Sequence, residues 1–99
     1  MGAVIDILFL KGSDISILRG KYSRCVIYSL DSQSLNTQRY RIIIPEEDVE
    51  DYYGFLVDNM IAMSSTNFRL RLESDSLFKD RMTSRASALL RAIDRKDRD

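Results

Sequence analysis

Ala3 to Leu10 is almost continuously apolar, broken only by Asp6, and it ends on the turn-forming cluster Lys11-Gly12-Ser13-Asp14. A β-branched run from Asp14 to Arg19 follows, so the two segments read as a hairpin. Ser13 to Arg19 also fits a helical turn, because period does not resolve so short an apolar run. Ser23 to Leu30 reads as a third strand through Val26, Ile27 and Tyr28. Asp31 to Asn36 is a polar connection into a fourth, Thr37 to Ile44.

Pro45 closes that strand, and the rhythm then turns helical. Glu46, Glu47 and Asp48 suit the positive end of a helix, and Val49, Tyr52, Tyr53, Leu56, Met60 and Met63 recur at steps of three and four. Ser64 to Thr66 break it. From Asn67 to Glu73, Phe68, Leu70 and Leu72 alternate with Arg69, Arg71 and Glu73, the pattern of a strand with one buried face. A second amphipathic helix starts at Ser76, capped by Asp75 or Ser76, and carries Phe78, Met82, Ala86, Leu89, Leu90 and Ile93. The expected fold is α+β: a mainly antiparallel sheet of about five strands with two helices, in the order β-β-β-β-α-β-α. Residues 1–99 form one small domain whose C-terminal end is charged from about residue 94.

Composition narrows the setting. Ninety-nine residues hold one modest core. A lone Cys25 makes no internal disulfide and no membrane-length apolar run occurs, so a reducing, cytoplasmic protein without a membrane partner is expected. The absence of His excludes Ser-His and Cys-His nucleophile pairs and His-containing zinc sites. Gly12, Gly20 and Gly54 fit neither phosphate-binding glycine pattern. Neither catalysis nor a cofactor or metal is expected, and Cys25 reads as a small core residue.

Net charge is zero, but it is segregated. Residues 1–45 carry six bases against three acids, residues 46–58 six acids and no base, and residues 76–99 seven bases against four acids. The helix dipole rewards acids only in the first turn, so Glu50 and Asp51, four residues after Glu46 and Glu47, need another cation. Either the basic second helix supplies it or Glu46, Glu47, Asp48, Glu50 and Asp51 face a partner. Tyr52 and Tyr53, adjacent on that helix, cannot both be fully buried in a simple amphipathic packing, which leaves one as a contact residue.

A strand–helix–strand crossover from Thr37–Ile44 to Asn67–Glu73 implies parallel neighbours. Arg39 and Arg41 then share the solvent face with Arg69 and Arg71, where a carboxylate or phosphate would offset their repulsion. The first strand is apolar on both faces, Ile5, Ile7 and Phe9 on one and Val4, Leu8 and Leu10 on the other. This suits a central strand under two layers of helix, or a homodimer contact. The expected function is therefore a non-enzymatic protein-binding module, an inhibitor or adaptor of viral or mobile-element type. Its expected surfaces are the acidic helix, with Tyr52, and the arginine-bearing sheet face. The alternative is nucleic-acid binding through those arginines and the basic C-terminal helix.

Overall fold

The computed structural model describes residues 2–30 and 37–98, with side chains as far as Arg95. The described chain is a three-stranded antiparallel sheet with four α-helices: β1 (Ala3–Lys11), α1 (Gly12–Lys21), β2 (Val26–Ser29), β3 (Thr37–Pro45), α2 (Val49–Asp58), α3 (Thr66–Ser74) and α4 (Ser76–Arg98). Short 3-10 turns at Glu46–Asp48 and Ala62–Ser64 bracket α2. The strand order is β1-β3-β2, so β3 is central and the first strand lies at an edge. The five strands and two helices expected from pattern are thus corrected to three and four. The Asp31–Asn36 connection lies outside the described residues.

Two segments account for the difference. Asp14–Arg19 lies within α1, where Ile15 and Leu18, three residues apart, are buried together while Ile17 faces solvent. Because β1 pairs with β3 and not with the next segment, no hairpin forms there. Asn67–Glu73 lies within α3: Phe68 and Leu72, one turn apart, pack into or against the core, but Leu70 is 57% exposed. Apolar residues at i and i+4 satisfy both a two-residue alternation and a helical turn, and here the helix holds. Ser65 decides the start, since its hydroxyl accepts from the Phe68 amide at 3.0 Å. With that strand gone, the parallel crossover and the shared face of four arginines go too.

The helices stack on one side of the sheet: α1 and α3 pack on β1, and α4 packs on α2 and α3. Leu8 and Leu10 of β1 and Tyr40, Ile42 and Ile44 of β3 point into a core completed by Ile15, Leu18, Leu56, Phe78 and their neighbours. Edge-to-face ring contacts tie the helices together, Tyr53 to Phe78 at 5.4 Å, Phe68 to Phe78 at 5.4 Å and Tyr22 to Phe55 at 5.7 Å. Each adds about 0.5–1.5 kcal/mol beyond its buried area. Asp75 starts α4 by accepting from the Phe78 amide at 3.1 Å, as the capping pattern predicts. That bond holds the Asp75 carboxyl below its ordinary range. At the other end of α2, the amides of Met60 and Ile61 return to the carbonyls of Val57 and Leu56, with Met60 in the left-handed region at φ 60°.

Asp6 is the buried exception in β1. Its Oδ2 accepts from the hydroxyls of Tyr52 and Ser65, each at 2.5 Å, and its Oδ1 accepts from the amides of Ile7 at 2.8 Å and Asn67 at 3.0 Å. The carboxylate thereby joins β1 to α2 and to the start of α3. The same junction closes the free edge of β1, where Leu8 bridges to Ser65 and the Asn67 side-chain amide donates to the Ile5 carbonyl at 2.6 Å.

Candidate interaction surfaces

The acidic stretch is largely neutralised from within. Arg24 pairs with Asp48 at 2.9 Å and Glu47 at 3.5 Å, Lys21 with Asp51 at 3.8 Å, and Arg81 with Glu50 at 3.5 Å. Arg71 pairs with Glu50, and Arg85 with Asp58 at 2.6 Å. The cations come from α1, the turn after it, α3 and α4, so the basic C-terminal helix supplies only part of the compensation. Arg85 holds the Asp58 carboxyl below its ordinary value by hydrogen bonding, and its own guanidinium gains in basicity in return. The Tyr22 hydroxyl donates to Asp51 at 2.5 Å, and burial first, then this bond, pushes its phenol well above the ordinary value. Glu46 is exposed, with no ion pair among those found in the described residues.

Tyr52 and Tyr53 are both buried, correcting the expectation that one would face outward; Tyr52, at 1% exposure, spends its hydroxyl on Asp6 and offers a partner nothing. Burial, the charge of Asp6 and this bond raise its phenol far above the ordinary value. Arg71 is equally committed. Its guanidinium lies 4.3 Å from the centre of the Phe78 ring while it pairs with Glu50 and Asp75. Arg69 is exposed on α3, away from the sheet. The structure therefore separates the four arginines, keeping only Arg39 and Arg41 together.

Those two stand on the open face of the sheet. The antiparallel register sets Phe9 beside Arg39, Ile7 and Tyr28 on either side of Arg41, and Ile5 and Val26 on either side of Ile43. Among the described residues no helix covers this face: Ile5 is 58%, Tyr28 52%, Phe9 46% and Val26 44% exposed. Lys11 ends the outward row of β1, and no acid occupies an outward position of the described strands. Six apolar or aromatic side chains and three cations thus form one continuous surface. The apolar second side of β1 is its sequence signal, but the contributions of Val26, Tyr28 and Ile43 depend on a strand order that pattern does not reveal.

Cys25 is half-buried, its thiol donating to the Tyr22 carbonyl at 2.9 Å, and burial raises it above its ordinary value, away from thiolate chemistry. Among the described residues no three acidic or cysteine side chains converge as a metal ion requires, and no helix is long and apolar enough to cross a membrane. Comparison with known protein families, with curated proteins and with solved structures finds no match.

Proposed function

We propose that this chain is a non-enzymatic protein-binding module whose open sheet face takes an acidic segment of another protein flanked by apolar residues. The observation that carries the reading is the juxtaposition on that face of Arg39, Arg41 and Lys11 with Ile5, Ile7, Phe9, Val26, Tyr28 and Ile43, without a carboxylate among them. Exposed apolar surface of this extent on a small domain is costly unless a partner covers it, and guanidinium groups within it that form no ion pair among the described residues select carboxylates. The acidic helix, largely paired within the chain, adds little to this surface. A small inhibitor or adaptor, of viral or mobile-element type and acting in the reducing cytoplasm, fits such a surface.

The same rows favour one alternative. Phe9 and Tyr28 stand beside the two arginines, as in surfaces that stack single-stranded bases, whereas the zero net charge of the chain opposes it. The test is to recover the partner from the native host and titrate it against R39E, R41E, F9S and the acidic-helix control E47K. Loss of at least tenfold in affinity with the first three and little change with E47K is expected. Equal affinity across all four, or binding to single-stranded nucleic acid that falls steeply with salt, overturns the reading.

A further inference from the structure

A second uncovered apolar region lies across the molecule from the sheet face. Between α4 on one side and α2, the Ala62–Ser64 turn and α3 on the other runs a groove of about 370 Å³, lined by Val57, Met60, Met63, Phe68, Leu72 and the flank of α4. The helix outruns its support. Its 23 residues span roughly 34 Å at 1.5 Å each, and from Leu90 onward every described side chain is exposed. The apolar stripe nevertheless continues beyond Ala86, the last α4 residue packed against the core, through Leu89 and Leu90, which form the far end of the groove wall, to Ile93.

Met60 points to the same place independently. Helix ends that need a left-handed residue usually use Gly, yet this one uses a long side chain that stays 63% exposed at the groove. Strain retained at the rim of an apolar groove indicates that the side chain serves something outside its own fold.

We propose that the groove is the interface between two copies of this chain, each laying the projecting half of its α4 antiparallel into the groove of the other. One molecule has both an unfilled apolar groove and an uncovered apolar helix end, and a two-fold axis satisfies both at once. With the axis near residue 88, Ala86 faces Leu90 of the second copy and Thr83 faces its Ile93, so small side chains receive large ones. Arg91 and Arg95, roughly 100–160° round the helix from Leu90 and Ile93 at 3.6 residues per turn, stay in water. Met60, Met63, Leu90 and Ile93 alone offer on the order of 400 Å² of apolar side chain per copy, close to the apolar share of a standard interface of about 800 Å² per partner.

Sedimentation equilibrium over a wide concentration range tests this. The wild-type mass is expected to rise from the 11.5 kDa of one chain towards twice that value. L90E and M60G are expected to weaken association at least tenfold while remaining folded, since Leu90 is exposed and Gly suits the backbone at position 60; F9S is expected to leave it unchanged. A wild-type chain that stays monomeric at every concentration overturns the proposal. So does a dimer indifferent to L90E, a dimer abolished by F9S, or a monomer whose groove instead takes a foreign amphipathic helix or a lipid vesicle.

Discussion

The Tyr52 hydroxyl and the Asp6 carboxylate, 46 positions apart in sequence, meet at 2.5 Å inside the core and hold α2 against β1. A buried carboxylate is tolerable only when its lone pairs are filled, and this one takes four donors. Replacing Asp6 with Ala orphans two hydroxyls and two amides, and a cost of about 3 kcal/mol or more is expected in urea unfolding. Asp6→Asn keeps the shape, and because the Tyr52 and Ser65 hydroxyls can turn to accept from the new amide, its cost should be about 1–2 kcal/mol. Equal costs for the two variants would contradict the network.

Alkali should unfold this protein in a way that reports on the same bond. Tyr52 holds its proton more tightly in the folded chain than in the unfolded one, whose phenol titrates near pH 10. Its folded-state value is raised, so the stability it contributes is complete below pH 10 and falls as pH rises beyond that, by about 1.4 kcal/mol per pH unit. Tyr52→Phe is therefore less stable than wild type at pH 8, but the gap narrows as the pH climbs towards 11. Parallel stability curves for the two proteins across that interval would show that Tyr52 is not the group titrating.

The same residues show how far the sequence can be read. β3 and α4 were legible through their periods, and Asp75 marked the α4 cap directly. β1 was legible as an apolar run, and α2 only as far as Asp58, since Met60 and Met63, which extend its step of three and four, lie beyond the helix end and are exposed. α3 was not, because Phe68 and Leu72 satisfy two periods, and Ser65, which looks like a helix breaker from the preceding side, is the cap of the next helix. The acidic helix was visible as a charge anomaly, but its compensation by Lys21, Arg24 and Arg71 depends on tertiary neighbours that no local window contains. The open face was half legible: β1 announced one apolar row, and the strand order β1-β3-β2 supplied the rest.

Gly54 lies under the guanidinium of Arg85, and a Cβ there would displace that group from its contact with Asp58. Two terms then oppose each other. Alanine gains about 1 kcal/mol of helix propensity, and the exposed ion pair it disrupts is worth about 0.2–1 kcal/mol. Gly54→Ala should therefore be close to neutral or slightly stabilising, while the Asp58 carboxyl returns upward towards its ordinary value in an NMR titration. In an Arg85→Ala background the same substitution should give the whole propensity gain, and the difference between the two backgrounds measures the coupling.

Met60 sets stability against assembly. A non-glycine residue in the left-handed region costs roughly 1–2 kcal/mol, and glycine removes most of that while giving back part through a freer unfolded chain. At concentrations where the protein is monomeric, Met60→Gly should raise stability by about 1 kcal/mol, because the lost side chain was mostly in water. A melting curve at low concentration measures that gain cleanly, since association otherwise adds its own concentration-dependent term. If the substitution instead destabilises the monomer, the side chain is packing within its own fold, and the strain at position 60 is repaid there and not at an interface.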